Sequence, residues 1–417
     1  MKVVRTDLSD LLFVRDEKFK NFKLYVSFAA PLGKENATYN ALLSKVLAAG
    51  CKKYPDKREV SIALKKMYGT SMSFSSKKVG GALCVSLVLD AVNEKFAEEG
   101  LTDSIFEFAG EMLLNPLVSE GKFKENIVSR EKKVLEADIA GLINDKRTYA
   151  LARCLEITCG DDPYGCPPLG DAEICQAITA EQLYDYYKFI ISECRPTIVV
   201  LGNFDEAKAE KCAKTLLSKF GGSKRQKTDI LPYKADITRV TEKSDITQGK
   251  LVMAYATGEL SGDDVYIESV MNAVFGGGVS SKLFNVVREK MSLCYYASSY
   301  VDKYKGLVLA QAGIDFDKYE KTVEAINMQL ADVQKGNFTD TEFDNAVRGL
   351  VNTVDELSDD PDLLLGFYVN ALSNDEIVTP EELREKYLSV NREQIIERAR
   401  LMKEETVFFL CALEEEM

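Results

Sequence analysis

Apolar and polar residues alternate along several short stretches of this chain, and apolar positions at helical spacing fill the intervals between them. KLYVSFAAPL from Lys23 and KLVMAYATGEL from Lys250 read as strands, and 227 positions separate the two lysines. A helix-rich stretch follows each strand and leads to a tyrosine. Tyr68 lies 44 positions after Leu24, and Tyr295 lies 44 positions after Leu251. Each tyrosine heads a predicted hairpin: SMSFSS, KKVGG and ALCVSLVLD in the first half, YASSYV, DKYKG and LVLAQAGID in the second. Period-two alternation around a glycine-containing turn is the hairpin signal in both. Helices are predicted over 103–114 and 319–333, and longer ones over 123–142 and 343–357. Asp360-Pro361 has the form of an N-cap and first-turn proline. Each half closes on a short helix and an apolar strand, ITAEQLYDYYKFI with TIVVLGN and VNREQIIERARLM with TVFFLCAL.

Recurrence of this whole order predicts an α+β protein of two homologous domains from internal duplication, each a mostly antiparallel sheet packed against helices. The stretch 221–249 is polar, carries Gly, Pro, Lys and Arg, and lacks helical periodicity, so it reads as the linker. The boundary is set at residues 1–229 and 230–417.

Composition narrows the function by exclusion. The 417 residues are 46% hydrophobic and 29% charged, an ordinary globular balance, with a formal net charge of −13. That charge argues against nucleic acid or an anionic membrane as the main partner, since phosphate recognition requires a basic footprint. The start lacks the apolar core of a signal peptide, and no apolar run approaches membrane-spanning length. The ten cysteines are scattered without a C-x-x-C pair, which predicts reduced thiols and a cytoplasmic setting. The chain contains no histidine, so a cysteine nucleophile has no histidine base.

The densest signal is GGGVSSKLFNVVREKMSLCYYASSY, from Gly276 to Tyr300. A glycine turn enters a helix carrying Arg288, and seven residues later Tyr295 heads a strand. A guanidinium fork and a phenol hydroxyl are suitable donors to an oxyanion or a peptide carbonyl. The plainer alternative is a surface ion pair for Arg288 and a half-buried place for Tyr295. GGGVSSK is a poor phosphate loop, lacking the glycine before its lysine, and DELSDDPD lacks the central glycine of an EF-hand loop.

This 25-residue stretch resembles the C-terminal-domain signature of the pitrilysin/insulinase-type (M16) zinc peptidases, and the likeness extends along essentially the whole chain. The length and the text ALLSKVLAAGCKKYP and LKKMYG resemble the two-domain M16B subunits, in particular the histidine-less, non-catalytic YmfF-like type. The resemblance implies a fold like that of the mitochondrial processing peptidase. It also implies that Arg288 and Tyr295 act catalytically in trans and that Gly276, Gly277, Gly278 and Ser281 bind substrate. Catalytic members carry H-x-x-E-H on the first helix of the N-terminal domain. Counting back from Gly50-Cys51-Lys52-Lys53-Tyr54-Pro55, that motif falls on Ala41-Leu42-Leu43-Ser44-Lys45, and the downstream ligand position falls near Asp138. Lys282 and Ser292 depart from the signature, which has Arg and Gly at those positions. No metal is expected on this chain. The implied partner is an H-x-x-E-H homologue that carries zinc in a heterodimer acting on peptides, a homodimer being the other arrangement. The alternative function is a stand-alone pseudopeptidase that binds peptides or serves as a scaffold.

Overall fold

A computed structural model describes residues 1–225, 229–373 and 377–413. The strands in chain order are β1 (Lys2–Arg5), β2 (Asp10–Arg15), β3 (Asn21–Pro31), β4 (Ser71–Val79), β5 (Ala82–Val92), the two-residue pair β6 (Val118–Ser119) and β7 (Lys122–Phe123), and β8 (Arg195–Gly202). They are followed by β9 (Thr238–Ser244), β10 (Gly249–Ala256), β11 (Cys294–Asp302), β12 (Leu307–Ile314) and β13 (Lys403–Ala412). Six strands form one sheet in the order β1-β2-β8-β3-β5-β4, and five form a second in the order β11-β12-β10-β13-β9. Read from the opposite end, the second order repeats β2-β8-β3-β5-β4. In each sheet one pair is parallel (β2 with β8, β9 with β13) and the remaining pairs are antiparallel. The duplicated, mostly antiparallel α+β architecture is therefore present in the topology, with β1 as an addition to the first sheet.

The chain divides into two compact units. The first holds 1–141, 166–227 and 360–377, and the second 142–165, 228–359 and 378–417. The main change of unit at 227/228 lies close to the linker that the sequence suggests. Two short segments, however, belong to the unit formed by the other half of the chain.

In the first unit, Leu24, Val26 and Phe28 of β3 and Val85, Leu87 and Leu89 of β5 join one core with the helices Lys34–Ala48, Leu101–Leu114 and Ala180–Glu193. The helix Pro361–Leu372 packs against β8. In the second unit, alternation along β10 splits the strand between two cores. Leu251, Met253 and Tyr255 join the helices Asp264–Phe275 and Tyr319–Lys335, while Val252, Ala254 and Ala256 join Ala150 and Cys154 of the helix Lys146–Cys159. A sheet buried on both faces needs a cover for each, and this helix supplies the second. The resulting desolvation pushes the Cys154 thiol up to about 12.

Strand register changes one pairing suggested by spacing. Ser71 of β4 lies opposite Asp90, and Tyr296 of β11 lies opposite Gly313. Tyr68 thus falls in the turn before its strand, with a left-handed backbone (φ 59°), and its hydroxyl accepts the Glu98 N–H at 3.1 Å. Tyr295 lies within β11. Equal spacing in sequence did not make the two tyrosines structural equivalents, because the register-matched position lies 48 residues after Lys23, at Ser71, but 46 residues after Lys250, at Tyr296.

Candidate functional site

The glycine run begins where the helix Asp264–Phe275 stops. The Gly276 and Gly277 N–H groups both donate to the Asn272 carbonyl at 2.8 Å. The Gly276 carbonyl accepts the Ser299 N–H at 2.8 Å, and the Ser299 hydroxyl donates to Asn272 Oδ1 at 2.6 Å. This web brings β11 so close to Gly276 that a Cβ there would meet Ser299 Oγ at 2.4 Å and Leu283 Cδ1 at 2.6 Å. At Gly277 an added Cβ would meet Asn272 Nδ2 at 2.9 Å, whereas at Gly278 nothing lies within 4 Å. Packing therefore accounts for the first two glycines, and only Gly278 presents open backbone. Val279, at the loop tip, is 76% exposed. Ser281 is buried, and its Oγ accepts the Phe284 N–H at 3.3 Å. Its hydroxyl is thus engaged at the entry to the next helix.

That helix, Leu283–Lys290, is a π-helix, a rare form most often found at functional sites. Leu283 and Val287 anchor it in the core. Its exit is wide: Met291 N–H donates to Val286 O at 2.8 Å, Leu293 N–H donates to Val287 O at 3.1 Å, and Ser292 adopts a left-handed backbone with φ 51°. The signature's glycine at this position is thereby explained, since glycine alone takes that conformation without steric cost.

Arg288 lies with its guanidinium 4.6 Å from the Phe284 ring centre and its Nε 3.5 Å from the Glu289 carboxylate, both on its own helix. Tyr295 is 59% exposed, and its hydroxyl donates to Asp315 Oδ1 at 2.9 Å. Asp315 is paired in turn with Lys318 at 2.8 Å. The bond to Asp315 raises the phenol pKa, so Tyr295 stays protonated and remains a donor. At the neighbouring position, burial pushes the Cys294 thiol up to about 11, against the opposing fields of Arg288 and Lys318. Arg288 and Tyr295 thus keep separate partners. Sequence reading missed Asp315 and Lys318, which stand 20 and 23 positions beyond Tyr295 with no motif to mark them.

In the first unit, the helix Lys34–Ala48 carries Ala41, Leu42, Leu43 and Ser44, all buried. The Ser44 hydroxyl donates back to the Ala41 carbonyl at 2.8 Å. Lys45 reaches Asp138 on the helix Glu125–Gly141, with Nζ 2.5 Å from Oδ2. The glycine of the neighbouring turn is required, because Gly50 has φ 143° and a Cβ there would lie 2.5 Å from the Tyr54 carbonyl oxygen. A divalent metal does not fit this arrangement. Ala41 offers no donor, Ser44 is turned back on its own helix, and Lys45 contributes a positive charge. Among the described residues no group of three or more His, Cys, Asp or Glu could hold a metal ion.

Comparison with known proteins places this geometry. The chain is 30% identical over 408 residues to a Bacillus subtilis protein named "Probable inactive metalloprotease YmfF", covering 96% of this chain and 95% of that one. The chain belongs to the peptidase M16 family. The family model "Peptidase M16 inactive domain" matches residues 177–350, a span that includes the whole Gly276–Tyr300 stretch. A second Bacillus subtilis relative, "Uncharacterized zinc protease YmxG", is 25% identical and covers 69% of this chain and 67% of its own length. Among solved structures, a conserved protein from Enterococcus faecalis superposes with a TM-score of 0.91 at 27% identity, each chain fully covered. An M16 inactive-domain structure from Pseudomonas fluorescens gives a TM-score of 0.80 at 19% identity, covering 100% of this chain and 99% of that one, and supports the fold alone. The protein is thus the homologue of an inactive M16-type metalloprotease.

Proposed function

We propose that the chain is the non-catalytic subunit of a cytoplasmic, M16-type heterodimeric zinc peptidase. In this reading Arg288 and Tyr295 serve in trans as substrate-binding and oxyanion-stabilising donors. The observation that carries the reading is an asymmetry between the units. The metal positions of the first have become Ala41, Ser44 and Lys45, whereas the second keeps Arg288, Tyr295 and the glycine turn. The partner would be an H-x-x-E-H homologue, and its zinc would supply the activated water. On this chain, Gly278 leaves backbone open to an approaching peptide, and Tyr295 would exchange its bond to Asp315 for one to substrate.

The test is co-expression with an H-x-x-E-H homologue and measurement of peptide hydrolysis by the complex. Arg288→Ala and Tyr295→Phe should each lower kcat/KM by about 10²-fold, the scale of a lost oxyanion donor, while leaving assembly intact. Unchanged turnover would refute the role in trans. The bond from Tyr295 to Asp315 favours a second reading, a stand-alone pseudopeptidase that binds peptides or acts as a scaffold. Recovery of the chain from its native cell alone, as a monomer or homodimer and free of zinc, would support that reading.

A further inference from the structure

The duplication allows one position to be compared in two chemical settings, both on a central strand. Lys23 on β3 lies opposite Asp90, and Lys250 on β10 lies opposite Gly313. Lys23 is buried and held by two carboxylates, Asp90 at 2.7 Å and Asp362 at 2.9 Å. Burial opposes its charge, but these two partners outweigh burial, and its pKa is raised.

In the second unit both carboxylates are gone. Glycine stands at the position of Asp90. Asp362 is the second residue of a helix capped by Asp360, and in the second unit the second residue of the helix capped by Asp145 is Arg147. Lys250 therefore faces a cation where Lys23 faces an anion. Among the described residues neither Arg147 nor Lys250 has an ion-pair partner. Asp145, whose carboxylate acts on Lys250, is engaged with Thr148, accepting from its N–H (3.1 Å) and its hydroxyl (2.6 Å). Burial and then repulsion from Arg147 lower the Lys250 pKa, and Asp145 only partly offsets them.

The space vacated at Gly313 is taken by Tyr296, whose ring a Cβ at Gly313 would meet at 2.3 Å. Arg147 lies 4.5 Å and Lys250 5.7 Å from the centre of that ring. Gln311 and Ser298 fix the guanidinium, accepting from Arg147 Nε at 2.9 Å and Nη2 at 3.3 Å. Lys250 donates once, to Gln248 Oε1. Donor capacity remains on Arg147 Nη1 and on Lys250 Nζ. Two oriented cations with spare N–H groups and, among the described residues, no ion-pair partner, in a chain of net charge −13, have the chemistry of a receptor for an oxyanion.

We propose that Arg147, Lys250 and Tyr296 form a binding site for a carboxylate carried by a peptide, either an acidic side chain or a C-terminus. The anion would take the place of the two carboxylates that Lys23 has in the first unit. The site's chemistry rests on the residues above, and the choice of a peptide as carrier rests on the reading in the preceding subsection.

The test uses the full chain alone at low ionic strength, so the result does not depend on catalysis in trans. The probes are sodium acetate, capped Ac-Ala-Ala-Glu-Ala-Ala-NH2, its capped Gln counterpart, and the Gln peptide with a free C-terminus. The capped Glu peptide or the free-acid peptide should bind, the capped Gln peptide should not, and which of the two binds identifies the carboxylate's source. Arg147→Gln and Lys250→Gln should each weaken that binding by about tenfold or more, the scale of a lost charge-assisted bond. Arg147→Asp restores the partner that Lys23 has; it should raise the Lys250 titration followed by NMR and abolish binding. Equal binding of charged and neutral peptides would overturn the proposal, as would binding indifferent to the variants. Acetate binding that depends on both residues, without preference among the peptides, would overturn the peptide assignment and leave the trans-catalytic reading untouched.

Discussion

Gly276→Ala is the sharpest test of how the signature loop is built. The new Cβ would lie 2.4 Å from Ser299 Oγ, 3.0 Å from Ser299 Cβ and 2.6 Å from Leu283 Cδ1. Comfortable carbon contacts are near 3.5–4.0 Å, so one neighbour must move by about 1 Å. Ser299 cannot yield freely, because its N–H is bonded to Gly276 O and its hydroxyl to Asn272. Leu283 is fully buried at the start of the π-helix that carries Arg288. Overpacking of this kind costs about 1–3 kcal/mol, and breaking the Ser299–Asn272 bond adds about 1 kcal/mol. The expected loss is therefore about 2–4 kcal/mol. Gly278→Ala meets nothing within 4 Å and should fall within about 0.5 kcal/mol of the parent. Urea unfolding of both variants gives the comparison directly, with midpoints shifting and slopes unchanged. If Gly276→Ala were as stable as the parent while Gly278→Ala unfolded early, the assignment of packing to one glycine and openness to the other would be wrong.

The other predictions rest on local chemistry. Ser292→Gly should stabilise the chain by about 0.5–1 kcal/mol, because relief of a left-handed backbone at a non-glycine residue exceeds the added freedom of the unfolded chain; thermal unfolding measures it. Lys45→Met should cost only about 0.2–1 kcal/mol at low salt and less in 0.5 M NaCl, as suits a partly exposed pair, and EDTA should not move the parent's Tm. Glu268 is fully buried, bonded to Arg398, and leaves Oε1 without a hydrogen-bond partner among the described residues. Burial outweighs that arginine and raises its pKa from 4.5 to about 7. The folded state then binds more protons than the unfolded state between those values, so stability should fall as pH rises from about 4.5 to 7, by roughly 3 kcal/mol at most. Glu268→Gln should flatten that slope in urea titrations across the range.

Much of the architecture was legible because strand alternation and turn glycines are local signals. KLYVSFAAPL and KLVMAYATGEL became β3 and β10, and the order of elements in each half foretold matching sheets. Three features were not legible, each for a physical reason. Nothing local marks the helices Lys146–Cys159 and Pro361–Leu372 as covers for sheets formed mainly by the other half of the chain, because an apolar face does not name its partner. The π-helix was read only as a helix, since Leu283, Val287 and Met291 fit ordinary helical spacing. Tyr295 was visible by motif, whereas Asp315, which holds its hydroxyl, comes from beyond the next strand and depends on register. For the site residues, the sequence marked Arg288, Tyr295 and the glycines as chemistry. It could not separate the glycines required by packing from the one left open.

The two units have diverged through charge more than through backbone. Where the resemblance puts the metal of catalytic relatives, Lys45 pairs with Asp138, a near-neutral contact that needs no ion. At the Lys23/Lys250 position the change ran the other way: two carboxylates became a glycine and an arginine, and a neutralised lysine became half of a cation pair. A scaffold held by apolar cores on its sheets tolerates both arrangements. In the proposed reading, the Lys45 ammonium satisfies the carboxylate that would otherwise be free for a metal. The second arrangement leaves Arg147 and Lys250 without an ion-pair partner among the described residues, the setting of the proposed anion site. The Lys250 titration measured in the parent and in Arg147→Asp decides this last step, because a lysine that already had a hidden counter-ion would not respond to a restored carboxylate.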